Sequence, residues 1–180
     1  MKDKSLSIII PCYNESENLE KLIEIIKTEL NKLSYEIEVI LINNGSTDDT
    51  QEKLDKILKN NQLIKYFKID KNIGYGDGIL LGLSKAKNNF LGWTHADLQC
   101  DFKDCLKAFE ILYKNTNESN LNSLIKGKRI NRKFSDNCFT KLMSIFIKIF
   151  CKVYLEDINA QPKLFSRKFY SLFKNPPKDF

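Results

Sequence analysis

The 180-residue sequence contains a single histidine, His95. That excludes a histidine-rich metal site and any catalytic dyad that needs a second imidazole. Five cysteines, Cys12, Cys100, Cys105, Cys138 and Cys151, include no CxxC pair. An odd count at irregular spacing suits reduced thiols, not a disulfide frame or a zinc site. No uninterrupted apolar run is long enough to be a transmembrane helix. Ser5 to Ile10 leads straight into Pro11, so the start lacks a signal-peptide core, and a cytoplasmic location is expected. No Gly-Lys-Ser/Thr of the Walker type occurs, which argues against P-loop chemistry. The glycine-rich Gly74-Tyr75-Gly76-Asp77-Gly78 misses the dinucleotide fingerprint, because Ile79 stands where its third glycine belongs. Internal repeats, linkers and low-complexity tracts are also missing.

What is present suits one globular domain. Hydrophobic residues make up 42% and charged residues 29%, enough apolar chain for a core and too much for disorder. Charge is uneven. Residues 1–125 carry a net −3, whereas residues 126–180 carry a net +9. A basic last third points to an anionic partner, such as a phosphate, an anionic membrane face or a nucleic acid; a solvated basic face is the plainer alternative. The nucleic-acid reading rests on charge alone, with no interleaved aromatic motif.

Apolar runs at Ser7–Ile10, Ile37–Ile42, Leu63–Ile69 and Phe90–Trp93 predict buried strands. Helical spacing predicts helices over 16–33, 48–59, 77–88, 102–114 and 137–155. Asn14 or Ser16 can cap the first, and Ser46 with Asp49 resembles a capping box for the second. Residues 115–122 read as a polar loop, and Leu124-Ile125 and Lys163-Leu164-Phe165 as short strands. Strands alternating with helices give an α/β class with a mainly parallel central sheet flanked by helices. In such sheets, ligands bind beyond the carboxyl ends of the strands. Three polar clusters fall there: Pro11–Glu15, Asn43–Asp48 and Thr94–Asp101.

The richest of these is His95-Ala96-Asp97-Leu98-Gln99. If the Phe90 strand stays extended, His95, Asp97 and Gln99 point to one face. Imidazole, carboxylate and amide oxygen can all bind a divalent cation, Mn²⁺ or Mg²⁺. Asp97 is the only carboxylate of the three and the candidate catalytic residue. The alternative is a polar turn in which Asp97 caps the next helix.

Four segments in register resemble the family 2 glycosyltransferases of the GT-A fold: Ser7–Glu15, Ile42–Asp48, Asn72–Gly76 and Ala96–Gln99. The Asp97-Leu98-Gln99 motif, the later Gly127-Lys128-Arg129 and the strand Gln161–Phe165 are most similar to the polyprenyl-phosphate sugar synthase branch. The resemblance implies a GT-A-type nucleotide-sugar-binding fold. Its donor side would lie in residues 1–125 and its basic acceptor side in residues 126–180. It implies donor binding by Pro11, Cys12, Tyr13, Asn14, Glu15, Asn44, Gly74, Gly76, Ala96 and Asp97. Metal binding falls to Asp97 and Gln99, with His95 where the family usually has Asp. Tyr13 would lie against the nucleobase, the alternative being a core aromatic. Asn44 replaces a common Asp and could pair with uracil, which favours a UDP-sugar; plain turn chemistry is the alternative for Asn43-Asn44-Gly45.

Acceptor binding would fall to Arg129, Arg132, Gln161 and Lys163, because guanidinium binds two phosphate oxygens at once. A phosphate acceptor needs no general base; a hydroxyl acceptor does, and only Glu156 and Asp157 are candidates late in the chain. A polyprenyl phosphate acceptor and inversion are therefore expected. A saccharide acceptor, or nucleotide-sugar binding without turnover, is the alternative. The apolar 137–155 helix either buries itself in protein or lies at a bilayer interface, which would bring the chain to the membrane face.

Overall fold

A computed structural model describes residues 4–116, 122–130 and 133–174. Chain order is β1 (Ser5–Cys12), α1 (Leu19–Leu30), β2 (Glu36–Asn44), α2 (Thr50–Leu58), β3 (Ile64–Ile69), α3 (Tyr75–Lys85), β4 (Phe90–Trp93), α4 (Phe102–Asn115), β5 (Leu124–Lys126), α5 (Phe134–Cys151), β6 (Lys163–Ser166) and α6 (Arg167–Tyr170). One sheet runs β3-β2-β1-β4-β6-β5. β1 to β4 are parallel, and β6 runs antiparallel to both β4 and β5. The expected class holds: a mainly parallel sheet between helices.

The side-chain period of two sorts β1. Leu6, Ile8 and Ile10 join Leu19, Leu22, Ile23 and Ile26 of α1 and Phe109 and Leu112 of α4. Ile9 turns to the other face, with Ile79 and Leu83 of α3 and Phe165 of β6. Burying both faces explains why these strands read as unbroken apolar runs.

Connectivity places the site. From β1 the sheet grows through β2 to β3, then switches to the opposite side of β1 with β4. A crevice is left beyond the carboxyl ends of β1 and β4, as in other open α/β sheets. β6 starts at this same edge, because Lys163 pairs in register with both Trp93 and Lys126.

Several expected details are corrected. α1 starts at Leu19, with Asn18 at its N-cap and no side-chain cap bond, so neither Asn14 nor Ser16 caps it. The capping box at Ser46 does not form; Asp49 holds the N-cap of α2 without a side-chain bond, and Ser46 Oγ instead accepts from the Asn14 amide (3.0 Å). α5 ends at Cys151, four residues early, where Lys152 adopts a left-handed φ of 55°. The expected 115–122 loop falls partly outside the described residues.

Candidate donor site

Side-chain hydrogen bonds knit two loops together at the carboxyl edge. Asn14, at φ 56°, accepts from the Thr47 amide at 2.8 Å. Asp48 accepts from the Ser16 amide (3.2 Å) and the Thr50 amide (3.0 Å). Burial pushes the Asp48 carboxyl up, but bonds from Thr50 and Ser16 outweigh it and hold it at about 2. Gly45, at φ 71°, is needed for close approach, since a Cβ there would sit 2.2 Å from the Asn72 nitrogen.

A cavity of about 300 Å³ opens between these loops. Pro11, Cys12, Tyr13 and Glu15 line it from the end of β1, Asn44 from β2, and His95, Ala96 and Asp97 from the end of β4. Asn72 and Tyr75 complete it; both lie in the quoted Asn72–Gly76 segment, but only its glycines stood out in the sequence. Asn14 holds the wall from behind. Gly74 sits at the N-cap of α3 with φ 94°, and Gly76 lies in that helix's first turn. Tyr13 is 47% exposed, so it is a rim residue and not a core aromatic.

Asn44 is buried and fully engaged. Its amide donates to Gly74 O (2.9 Å) and Asn72 Oδ1 (3.3 Å), and its oxygen accepts from the Ile73 amide (3.2 Å). It holds the glycine loop, which leaves no free N–H for the expected pairing with a base.

The extended alternation expected for residues 95–99 is also corrected. β4 stops at Trp93, and Leu98 takes a φ of 60°. Asp97 Oδ1 turns to accept from the Gln99 amide at 3.0 Å. His95 and Asp97 still reach the cavity, but Gln99 is exposed and does not line it. Nor does Asp97 cap α4; Asp101 does, accepting from the Lys103 amide at 2.9 Å. Tyr75 stacks on His95 at 5.4 Å between ring centroids, its hydroxyl 3.3 Å from Nδ1. Burial, then the Asp97 carboxylate, pushes the Tyr75 phenol up, so it stays protonated.

Among the described residues, no three His, Cys, Asp or Glu side chains converge on one point. Asp97 and His95 therefore offer two ligands at most. So sparse a set suits a cation shared with a diphosphate, because Mg²⁺ or Mn²⁺ held this way takes one or two protein ligands and fills its shell with phosphate and water.

Across Trp93 lies the acceptor-side group. With its amide oriented to satisfy both partners, Gln161 donates to the Trp93 carbonyl and accepts from its indole Nε1, each at 3.2 Å. Lys163 Nζ sits 5.4 Å from the centre of the Trp93 ring. Lys126 Nζ donates to the Asp157 carbonyl at 3.2 Å. The basic cluster is largely paired, unlike the free phosphate site expected. Arg129 binds Asp157 through its amide (2.7 Å), Nε (2.9 Å) and a terminal nitrogen, and Lys128 meets Glu156 at 3.0 Å. These pairs also weaken both late carboxylates as bases. Burial pushes Asp157 up but Arg129 holds it below the usual range, and Lys128 lowers Glu156. Arg132 lies outside the described residues. Lys163 differs: burial first, then Lys126 and Arg129, lower its ammonium, so an arriving anion would be welcome.

The Glycosyl transferase family 2 model matches residues 7–162. The chain is 26% identical over 179 residues to the dolichyl-phosphate beta-glucosyltransferase of Dictyostelium discoideum, covering 91% of this chain and 54% of that protein. It is 31% identical over 100 residues to the undecaprenyl-phosphate 4-deoxy-4-formamido-L-arabinose transferase of Proteus mirabilis (strain HI4320), covering 54% and 30%. The chain thus spans about half or less of the length of these curated relatives. The fold is shared with the mannosyltransferase PcManGT from Pyrobaculum calidifontis, solved in complex with GDP-Man and Mn²⁺, at a TM-score of 0.67 and 16% identity, over 99% of this chain and 50% of that one. It is also shared with the glucosyl-3-phosphoglycerate synthase of Mycobacterium tuberculosis in complex with UDP, at 0.62 and 17%, over 91% and 57%. With a GT-A fold, a cavity at the β1–β4 switch point and a family match from β1 to the start of β6, the chain belongs to glycosyl transferase family 2.

Proposed function

We propose that the chain transfers a sugar from a nucleotide-sugar donor, with UDP favoured, to a polyprenyl phosphate, with inversion and with a divalent cation. Residues 1–125 hold the donor and residues 126–180 the acceptor. One observation carries the reading: the Asp97 cavity opens just beyond β4, whose last residue, Trp93, pairs with Lys163 at the same sheet edge. The donor's diphosphate lies toward Asp97 and His95, and its base against Tyr13. When bound, Mn²⁺ or Mg²⁺ neutralises charge on the leaving diphosphate. Asp97 and His95 would hold it; an imidazole ligand suits Mn²⁺ better than Mg²⁺.

The acceptor phosphate oxygen attacks the anomeric carbon from the side opposite the diphosphate, which inverts that centre. Lys163 steers that anion, while Gln161 fixes the Trp93 face beneath it. A phosphate needs no deprotonation, which agrees with two late carboxylates tied to cations. Relatives named for dolichyl and undecaprenyl phosphates support this acceptor class. Five free cysteines support a reducing, cytoplasmic compartment.

The test is transfer to a short polyprenyl phosphate across a panel of UDP- and GDP-sugars with Mn²⁺. Calorimetry with UDP and GDP runs beside it. Inverted product from a UDP-sugar is expected. Turnover onto a saccharide alone would overturn the acceptor, and tighter GDP binding would overturn the base.

A further inference from the structure

His95 and Asp97 line the same cavity, but they are unequal as ligands. A carboxylate can offer either oxygen, so Asp97 can engage the Gln99 amide through Oδ1 (3.0 Å) and keep Oδ2. A neutral imidazole has one lone pair, on whichever nitrogen lacks the proton. It ligates only with that nitrogen turned to the cation. The ring's orientation and the place of its proton therefore both matter. At His95 one side chain governs both. Tyr75 lies against the ring, 5.4 Å between centroids and 21° between planes, which fixes the plane. Its hydroxyl stands 3.3 Å from Nδ1, which leaves Nε2 as the nitrogen free for the cavity. Among the described residues, no other side chain bonds to this ring.

The two chain segments that meet here are themselves anchored. Tyr75 opens α3 directly after Gly74, whose carbonyl accepts from the Asn44 amide at 2.9 Å and whose own amide donates to Asn72 at 2.8 Å. His95 follows Thr94, whose amide donates to the Ile9 carbonyl of β1 at 3.1 Å. The ring pair is thus set by both loops.

We propose that Tyr75 is a positioning residue of the cation site: with the cation bound, its hydroxyl accepts the Nδ1 proton of His95, and Nε2 turns its lone pair to the metal. This rests on the reading of Asp97 and His95 as the residues that hold the cation. Charge sets the direction of the bond. If Tyr75 donated to Nδ1, the neutral ring would carry its proton on Nε2 and aim the positive end of an N–H bond at a divalent cation. A phenol hydroxyl donates and accepts, so it takes the accepting role without moving. Imidazole ligands are usually held by such a bond from the other ring nitrogen, and losing the partner lowers metal affinity by about 10–100-fold. A mere aromatic contact would make the hydroxyl dispensable.

The experiment is Mn²⁺ binding to the full chain with UDP, and with GDP in parallel, read by calorimetry and pulsed electron paramagnetic resonance. His95 is the only histidine, so isotopically labelled histidine reports one imidazole. Wild-type protein should show a histidine nitrogen coupled directly to Mn²⁺. Tyr75→Phe keeps the ring and removes only the hydroxyl. It should bind Mn²⁺ about tenfold or more weakly, with a smaller nitrogen signal. In a His95→Asp background the ligand has no tautomer to fix, so the same change should leave Mn²⁺ affinity as it was. That non-additivity separates positioning from a general loosening of the loop, which would weaken both backgrounds alike. Equal melting temperatures show that the variants are folded. Wild-type Mn²⁺ affinity in Tyr75→Phe would overturn the proposal, as would equal losses in the two backgrounds. Mn²⁺ binding that needs Asp97 but shows no histidine coupling would overturn it and leave the donor site standing. Mn²⁺ binding that is unchanged in Asp97→Asn would overturn the cation site, and this proposal with it.

Discussion

The edge proposed for the donor and the edge proposed for the acceptor lie on one sheet but are made in different ways. At the donor edge, loops are locked by side chains bonding to backbone: Asn14 to Thr47, Asp48 to Ser16 and Thr50, and Asn44 to Gly74. At the acceptor edge, charge is balanced by charge: Arg129 against Asp157 and Lys128 against Glu156, with Lys163 over Trp93. Asn14 and Asn44 carry no charge and Asp48 stays ionised down to about pH 2, so these locks keep one shape across the neutral range. Ion pairs at half-exposed sites leave a basic surface that an anion can reorganise. The contrast teaches that the proposed donor pocket is held by hydrogen bonds between loops, whereas the proposed acceptor side is held by ion pairs.

The strongest test of that contrast is Asp97→Asn. It should cut turnover by about 10²–10³-fold, the effect of removing one fixed electrostatic stabiliser, and weaken Mn²⁺-dependent UDP binding in calorimetry. Wild-type binding and turnover would place the site elsewhere.

Next is Lys163→Met, which keeps the stem and removes the charge. Transfer to a polyprenyl phosphate should fall by about tenfold or more, through loss of one charge-assisted contact, while UDP affinity stays unchanged. Equal losses in both assays would erase the distinction between the edges.

Asp157→Asn follows. It leaves Arg129, with a 37% exposed side chain, without its carboxylate. A pair with a buried carboxylate and a partly exposed guanidinium should contribute about 1–2 kcal/mol, less than a fully buried one, so the melting temperature should fall modestly. Donor binding should hold.

The smallest effect is expected from Asp48. Its carboxyl is held at about 2, below its ordinary 3.8. A lowered carboxylate stabilises the fold above its unfolded value, and that contribution is lost as pH falls from about 4 toward 2. Asp48→Asn should flatten this part of the stability–pH curve, measured by urea unfolding. An unchanged curve would mean that the loop lock does not hold the donor edge.

Much of the donor edge was legible because local rules suffice there. Apolar runs ending in Pro11, Asn43 and Thr94 gave strands, and a parallel sheet has to gather their ends at one edge. Where a residue breaks the period, reading failed. Leu98 at φ 60° turns Gln99 away from the cavity that an extended strand would have given it. Asn44 was visible as a polar residue at a strand end, but its engagement depends on Asn72 and Gly74, nearly thirty residues away. Tyr75 escaped notice because its partner, His95, lies on another loop.

The sequence by itself determined the α/β class, the three strand-end clusters, the basic last third and the single histidine beside Asp97. These follow from periodicity, turn chemistry and composition, which act over a few residues. Tertiary structure alone decided which cations are free. Arg129 and Lys163 look alike in a list of residues, but Arg129 is bonded to the Asp157 carboxylate, whereas Lys163 lies over the Trp93 ring. It also decided which way α5 faces. A helix with a broad apolar surface can be buried on any side. Here Ser144 is buried, while seven large apolar side chains between Phe139 and Phe150 are exposed.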